Sequence, residues 1–350
     1  MKKKLLLTLT VFVLALAACS SDNQASDDNK EKDNVPEQQP EGNDRYAATF
    51  PLSGIETDES VDNRTIGVMI NNHAAARPQS GLSEADIVFE ILAEGTITRF
   101  LALYQSELPE VVGPVRSARE YYFELAEGYD AIYVYHGAAD FVNDMIVNRG
   151  INFLNGSTYD NDGILFKRES FRKAPHNSYL QLGAVYDVAS TKGYETTSTQ
   201  ESLNFLTEEK IETLDGEKAA QVKVEYGDNT SESVEYTYDE ASGKYARSSN
   251  GEPSVDLNTE TAIQVDNVFI VEAFHEVIDD SGRRAIDLKT GGDGYLIQKG
   301  QVQEIQWENK DGRIIPVKDG QPIGLVPGKT WVNVVPTDPG IKQSVTISNE

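Results

Sequence analysis

RTIGVMI at Arg64–Ile70 is the first of three short apolar runs, and IVFEIL at Ile87–Leu92 and FLALYQ at Phe100–Gln105 follow it. Gly, Pro, Asn or Asp residues flank these runs, and short apolar runs between such residues are typical of buried β-strands. The sequence therefore predicts three buried strands between residues 64 and 105.

Helical spacing follows these strands. Ser117–Glu127 and Ala138–Val147 are predicted as helices, with a strand at Ala131–Tyr135 between them, and Ser178–Thr191 is predicted as a third helix. Because strands alternate with helices, we expect residues 49–192 to form a layered α/β domain with a mixed sheet and helices.

The remainder of the chain is rich in Thr, Ser, Asp and Glu, and few helices are visible in it. We predict a linker over residues 193–221 and a mostly β C-terminal domain over residues 222–340. Its strands could instead complete the sheet of the first domain. The β-rich runs are Val222–Tyr226, Ser233–Tyr238, Val268–Phe274, Gly294–Gln298, Gln301–Trp307 and Trp331–Val335.

The N-terminus resembles a bacterial lipoprotein signal. Lys2, Lys3 and Lys4 precede an apolar stretch at Leu5–Leu16, and two alanines lead to Cys19, the single cysteine. Such a signal implies cleavage after residue 18 and a diacylglyceryl group on Cys19, and two acyl chains are what stable anchoring requires. An ordinary secretory signal and an N-terminal anchor are the alternatives. The expected location is the outer face of the cell membrane.

Residues 19–48 are mostly polar and acidic, which predicts a disordered tether. The formal net charge of the chain is −26 at pH 7. A chain so acidic is repelled by nucleic acid, so we expect no nucleic-acid partner. The lone cysteine leaves no intramolecular disulfide available to an exported protein.

The first polar cluster follows the predicted strand that ends at Ile70. Asn71, Asn72 and His73 come directly after it, and Arg77 comes shortly afterwards. Polar groups at the carboxyl end of a strand are where open α/β sheets place ligands. A turn whose Asn side chains bond their own backbone is the alternative interpretation.

The second cluster combines carboxylates with arginines. Glu90 and Glu94 lie near the end of a strand, Arg99 begins the next, and Arg116 and Arg119 lie three apart at a predicted helix start. That spacing predicts that the last two share a helix face. Cations at a helix N-terminus favour a bound anion or a paired carboxylate. A buried network between arginine and glutamate is the alternative.

The third cluster is the strongest basic island of this acidic chain. It precedes the helix predicted from Ser178, and a solvated basic loop is the alternative interpretation. Its members are Lys167, Arg168, Arg172, Lys173, His176 and Asn177.

Common catalytic motifs are missing from the sequence. It contains no phosphate-binding glycine loop, no HExxH, no paired-cysteine metal site and no Gly-x-Ser-x-Gly elbow. We therefore predict no cofactor and no metal. If His73, His136 and His176 converge beside Asp or Glu, they could instead serve as general acid and base or as metal ligands.

Several longer motifs resemble the YerB lipoprotein family of Gram-positive bacteria. They are VMINNH at Val68–His73, ARPQSGL at Ala76–Leu82, GPVRSAR at Gly113–Arg119 and RKAPHN at Arg172–Asn177. GKTW at Gly328–Trp331 and the β-rich part resemble the family's C-terminal domain. The resemblance implies a lipoprotein with an α/β-layered domain. It implies no reaction, because no catalytic residue is established for the family.

Three functions fit these observations. The first is a membrane-tethered binding module that holds an anionic envelope ligand, such as a cell-wall polymer, or an envelope protein in a cleft lined by Arg, His and Asn. The second is an envelope hydrolase or transferase with a histidine and Glu90 or Glu94 as acid and base and arginines at a developing oxyanion. The third is a non-catalytic assembly scaffold.

Overall fold

The computed structural model describes residues 47–227 and 232–349. The described residues pack as one compact unit. Cys19, the predicted signal peptide and all but the last two residues of the predicted tether lie outside the described residues. Within the described ranges, no helix is both long enough and apolar enough to cross a membrane.

The first part of the described chain contains strands and short helices in alternation. The strands are β1 (Ala48–Thr49), β2 (Glu56–Thr57), β3 (Ile66–Asn71), β4 (Ile87–Glu94), β5 (Ile97–Tyr104), β6 (Val111–Val112), β7 (Ile132–Tyr135), β8 (Phe153–Asn155), β9 (Phe166–Arg168) and β10 (Ser178–Gln181). The helices are α1 (Glu120–Gly128), α2 (Asp140–Asn148) and α3 (Val185–Thr191), with 3-10 turns at Ala74–Ala76, Leu82–Glu84 and Leu182–Ala184.

The second part is mostly β. It contains α4 (Glu208–Glu212), β11 (Glu217–Lys218), β12 (Gln221–Glu225), β13 (Ser233–Asp239), β14 (Lys244–Ser249), β15 (Glu252–Pro253), β16 (Gln264–Val265), β17 (Asn267–Ala273), β18 (His275–Val277) and β19 (Arg284–Ile286). It ends with β20 (Gly292–Gln298), β21 (Gln301–Lys310), β22 (Arg313–Lys318), β23 (Gln321–Pro322), β24 (Thr330–Pro336), α5 (Ile341–Ser344) and β25 (Val345–Ser348).

One mixed sheet, the main sheet, contains strands from both predicted domains. Its order is β23-β22-β21-β20-β17-β24-β4-β5-β3-β7-β8, and β11 pairs with β21. The two parts meet where β24 runs parallel to β4, with Thr330 opposite Ile87. Strands of the second part therefore extend the sheet of the first, which was one of the two alternatives given by the sequence analysis. The domain boundaries at residues 192 and 222 stay a prediction.

The main sheet is buried on both faces, because each face has its own apolar core. Ile70, Phe100 and Trp331 pack in one core with side chains of the second sheet, which consists of β12–β16 and β25. Met69 and Phe89 pack on the other face, where α1 lies. Burial on both sides explains why the central strands read as continuous apolar runs.

Two expectations about the fold need correction. The α/β class is only loosely supported, because the described residues are mostly β with some short helices in mixed sheets. The helix predicted at Ser178–Thr191 is wrong in its first part: Ser178–Gln181 is a strand that pairs with β9 and β6. Tyr179 and Leu180 are adjacent and both buried, as in a strand covered on both faces, and α3 begins only at Val185.

Candidate functional site

Three parallel strands end at one edge of the main sheet. β3 runs parallel to β7, and β7 runs parallel to β8, so their carboxyl ends share that edge. In sheets with parallel strands, ligands bind outside this edge. We call the basic cluster there the strand-end site. Its residues are Asn71, His73, Arg116, His136, Arg168 and His176.

The backbone of Arg116 is held between two of these strand ends. Its N–H donates to the Met69 carbonyl at 2.9 Å, and its carbonyl accepts from the His136 N–H at 3.0 Å. The half-buried guanidinium forms no hydrogen bond or ion pair with any described residue. Burial and the nearby charge of Arg99 lower its pKa. A partly desolvated cation without a counter-ion is unfavourable unless an anion binds beside it.

His73 and His176 stack with their ring centroids 4.7 Å apart. The Asn71 side chain orients both residues: its Oδ1 accepts from the His73 backbone N–H at 3.0 Å, and its Nδ2 donates to Nδ1 of His176 at 2.8 Å. Nδ1 of His73 accepts from the Ala75 N–H at 3.0 Å. Each neutral ring therefore carries its proton on Nε2. Neither Nε2 has a partner in the part of the chain that the structure describes, so two N–H donors are free.

His136 is held by Ser178 and Arg168. Its Nδ1 lies 2.8 Å from Ser178 Oγ, and its Nε2 lies 3.5 Å from Nη2 of Arg168. Because arginine only donates, Nε2 is the accepting nitrogen. Arg168 also donates to both carboxylate oxygens of Asp160, at 2.7 and 3.0 Å, and to Asn177 Oδ1 at 2.9 Å. Its charge is therefore compensated, unlike that of Arg116.

Burial and the neighbouring cations favour the neutral forms of His136 and His176. Burial lowers the pKa of His136, and the charges of Arg168 and Arg116 lower it further. Burial, His73, Arg116 and Arg172 lower the pKa of His176 in the same way. The Arg116 charge thus acts on histidines from two different strand connections. A bound anion would offset this repulsion.

The other residues of the third predicted cluster surround the site. Arg172 donates to the Tyr179 hydroxyl at 2.8 Å and also to the carbonyls of Ala76 and Pro78. It therefore fixes the 3-10 turn that carries His73 against β10. Lys173 is exposed and makes no side-chain contact within the described ranges.

Glu90 does not belong to the strand-end site. It is completely buried. Its Oε1 accepts from Asn72 at 3.2 Å and Thr98 at 2.9 Å, and its Oε2 accepts from Arg247 and from Trp331 Nε1, both at 2.9 Å. Four donors saturate this carboxylate, so it is a structural group and not a free acid or base.

Asn72 and Arg77 attach to this buried network. Nε of Arg77 donates to Asn72 Oδ1 at 3.0 Å, and its Nη2 pairs with Glu232 at 2.9 Å. Both residues belong to the first predicted cluster, yet only Asn71 and His73 of that cluster face the strand-end site. Successive residues point to opposite sides of an extended chain, which separates Asn71 from Asn72.

Glu94 pairs with two other arginines of the second predicted cluster, Arg99 and Arg119. It accepts from Arg99 at 2.6 Å and also from Arg119. The prediction that Arg116 and Arg119 share a helix face is wrong, because α1 begins at Glu120 and Arg119 is its N-cap in extended backbone. Glu94 thus pairs with Arg119, whereas Arg116 has no ion-pair partner in the part of the chain that the structure describes.

The histidine–carboxylate contact on which the acid–base hypothesis depends is not observed in the described ranges. No hydrogen bond joins His73, His136 or His176 to a carboxylate there, and no group of three or more His, Cys, Asp or Glu residues is placed to hold a metal ion. Ser178, beside His136, is 2 % exposed. The arrangement can donate hydrogen bonds to an anion.

Arg247 is the most important residue that the sequence analysis missed. It lies in β14 on the same side as Tyr245 and Ser249, and all three are buried. The signal in the sequence was its position in β14, where it occupies the same side of the strand as the apolar Tyr245. A cation on the buried side of a strand needs a buried counter-ion.

Comparisons with known proteins agree with the predicted resemblance. Residues 52–195 match the N-terminal domain, and residues 222–332 the C-terminal domain, of a protein family of unknown function, DUF3048. A protein of Bacillus subtilis named "Putative lipoprotein YerB" is 46% identical over 288 residues, which cover 82% of this chain and 86% of that protein. The crystal structure of YerB protein from B. subtilis superposes with a TM-score of 0.79 at 45% identity, and covers 86% of this chain and 100% of that one.

Proposed function

This chain belongs to the DUF3048 family, and from that premise we propose that it is a lipoprotein of the cell membrane whose strand-end site binds an anionic group of the cell envelope. Two observations support the proposal that the chain is a lipoprotein. The B. subtilis relative is named a lipoprotein, and a run of basic, then apolar, then small residues ends at Cys19. With Cys19 lipidated after export, the folded unit would lie on the outer face of the membrane.

The uncompensated guanidinium of Arg116 carries the binding proposal. It lies half-buried at the carboxyl ends of parallel strands, and it lowers the pKa of both His136 and His176. The free Nε2–H groups of His73 and His176 add two donors. A cation with adjacent N–H donors and no carboxylate partner is suited to an oxyanion.

The chemistry of the site favours a small, hydrated oxyanion such as the phosphate of a wall polymer or the carboxylate of an envelope peptide. A guanidinium fork fits both groups. The acidic remainder of the chain repels polyanions at long range, which favours recognition of a single group over binding along an extended anionic polymer. A peptide segment from an envelope protein satisfies this condition as well.

Isothermal titration of the compact unit, residues 45–350, with sulfate, glycerol phosphate and acetate tests the proposal. Arg116→Gln is expected to weaken binding of the preferred anion about tenfold or more, which is the usual effect of losing a charge-assisted hydrogen bond. Lys218→Gln is the matched control, because it removes the same charge from an exposed position in β11. Equal affinities of the Arg116→Gln and Lys218→Gln proteins would refute the proposal.

A further inference from the structure

A cavity of about 570 Å³ lies on the face of the main sheet that also packs against α1, and it shares no residue with the strand-end site. Its floor consists of Ile87, Phe269 and Val332, each 2 % exposed. Phe269 and Val332 lie opposite each other in the pairing of β17 with β24. A cavity of this size, with an apolar floor and polar groups on its walls, falls within the range of small-molecule sites, which span roughly 300–1,000 Å³.

The walls of the cavity come from three separate parts of the chain. Residues 201–206, which we call the strap, lie within the predicted linker and cross one side of it. Leu203 N–H donates to the Pro51 carbonyl at 3.0 Å, and Leu206 N–H donates to the Leu325 carbonyl at 2.8 Å. The hairpin of β21 and β22 supplies Ile314 and Arg313 on another side. The hydrogen-bonded strap shows that this wall is built into the fold.

Two side chains at the cavity, Tyr129 and Arg313, each have a polar atom that makes no hydrogen bond with a described residue, the Tyr129 hydroxyl and Nη2 of Arg313. The Tyr129 hydroxyl makes no hydrogen bond with a described residue, and burial raises its pKa, so it is a neutral donor. Arg313 donates from Nε to the Gly128 carbonyl at 3.0 Å and from Nη1 to the Glu201 carbonyl at 2.6 Å, and it lies 5.2 Å over the Tyr129 ring. Arg313 forms no ion pair with a carboxylate of the described residues. The nearby Glu201 carboxylate pairs with Lys310 at 3.0 Å, and its pKa is lowered by Lys310 and, to a smaller extent, by Arg313.

We propose that this cavity binds an aliphatic carboxylate, whose chain lies against Ile87, Phe269 and Val332 and whose head group accepts from Arg313 and the Tyr129 hydroxyl. The apolar floor excludes a free inorganic anion as the preferred ligand, because such an anion would lose its hydration. Arg313, which forms no ion pair with a described carboxylate, disfavours a cationic head group beside it. A carboxylate matches the planar fork of one arginine and the single neutral donor beside it.

Fluorescence titration with a dansyl-labelled undecanoic acid, and displacement by unlabelled saturated acids and the matching alcohols, tests this site on residues 45–350. We expect saturable binding that tightens with chain length, since each buried methylene adds to the apolar area removed from water. Arg313→Gln is expected to weaken the acid about tenfold while leaving the alcohol nearly unchanged, because only the acid loses a charge-assisted bond. Lys318→Gln, the same charge change on the same strand, is the control.

Val332→Phe tests the placement of the chain by filling the cavity floor, and it should reduce the affinity for acid and alcohol alike. Thermal unfolding of each variant shows whether it is folded. If Val332→Phe does not fold, Arg313→Gln still tests the site independently. The proposal is overturned if the wild-type unit shows no saturable binding, if acid and alcohol bind equally and Arg313→Gln changes neither, or if a folded Val332→Phe protein binds as the wild type does. Binding of the alcohol alone would assign the cavity to neutral apolar ligands instead.

Discussion

Glu90 and Arg247 form a buried ion pair 157 residues apart in sequence, with Nη2 of the arginine 2.9 Å from Oε2 of the glutamate. Burial lowers the pKa of Arg247, but Glu90, Tyr236 and Tyr226 together raise it by more, so the net pKa is raised. The guanidinium also lies 4.6 Å over the Trp331 ring. The pair joins the main sheet to the second sheet, so it couples the two parts of the chain that the family models match separately.

Glu90→Gln should lower the free energy of unfolding by about 3–5 kcal/mol, because the change leaves the Arg247 charge buried without a counter-ion. Urea unfolding of residues 45–350 measures this loss. Glu127→Gln is the control, since it breaks an ion pair with Arg149 in which both side chains are about 40 % exposed, and should cost less than about 1 kcal/mol. Similar losses in the two variants would contradict a structural role for the buried pair.

Anion binding at the strand-end site should strengthen as the pH falls. His136 and His176 have lowered pKa values in the free protein because of burial and the surrounding cations. A bound anion favours their protonated forms, so binding takes up protons, with about a tenfold gain in affinity for each unit of pKa restored. Sulfate is the suitable probe because its own charge stays constant between about pH 5 and 8. Titration in buffers of different ionisation enthalpy measures the proton uptake.

His176→Gln should remove part of that pH dependence while Arg116 still provides the principal charge. The glutamine cannot be protonated, so fewer protons accompany sulfate. A sulfate affinity that does not change with pH in the wild-type protein would contradict the coupling between Arg116 and the histidines.

Gly128 should not tolerate a side chain. A Cβ at this position would lie 2.4 Å from the backbone of Gly312 in the turn between β21 and β22. Gly128→Ala should therefore destabilise the protein by about 1–3 kcal/mol, because the turn must move away from the end of α1. Gly183→Ala is the matched control, since a Cβ there meets nothing within 4 Å, and its stability should change by less than about 1 kcal/mol. Thermal unfolding compares them, and an unchanged melting temperature for Gly128→Ala would contradict the close approach.

His275 should make the protein sensitive to mild acid. Burial lowers the pKa of His275 to about 4, and the hydrogen bond with the Ala273 carbonyl only partly opposes this shift. The unfolded chain then binds more protons than the folded one, so stability is full above about pH 6.5 and falls as the pH drops towards about 4, by at most about 3 kcal/mol.

His275→Gln is expected to flatten the pH dependence of the free energy of unfolding in that range. Urea midpoints at several pH values between about 4 and 7 measure the slope for both proteins. Parallel curves for variant and wild type would show that His275 is not the group responsible.

The central strands were predictable because a strand buried on both faces is a continuous apolar run in the sequence. Arg64–Ile70, Ile87–Leu92 and Phe100–Gln105 overlap β3, β4 and β5. The β-rich runs of the second part likewise correspond to β12, β13, β17, β20, β21 and β24. The order of these strands was not predictable in the same way, because the pairing of β24 with β4 joins residues more than two hundred positions apart. No local pattern encodes such a contact.

The residue types of the candidate site were predictable from the sequence, but the contacts between their side chains were not. Arg116 and Arg119 belong to one motif and are three residues apart, yet Glu94 pairs with Arg119, while Arg116 pairs with no carboxylate in the described ranges. Glu90 and Glu94 also belong to one strand, but one carboxylate is saturated in the core while the other lies near the surface. Which cation remains available depends on the side chains that strand pairing brings opposite each other.

By itself, the sequence determined the strands, the family and the residue types gathered at the edge of the main sheet, because apolar periodicity and local motifs are properties of neighbouring residues. Only the tertiary structure decided that Glu90 meets Arg247, that Asn71 orients His73 and His176, and that Arg116 has no counter-ion among the described residues. These outcomes depend on distances between atoms far apart in the chain, and such distances exist only once the sheets have packed.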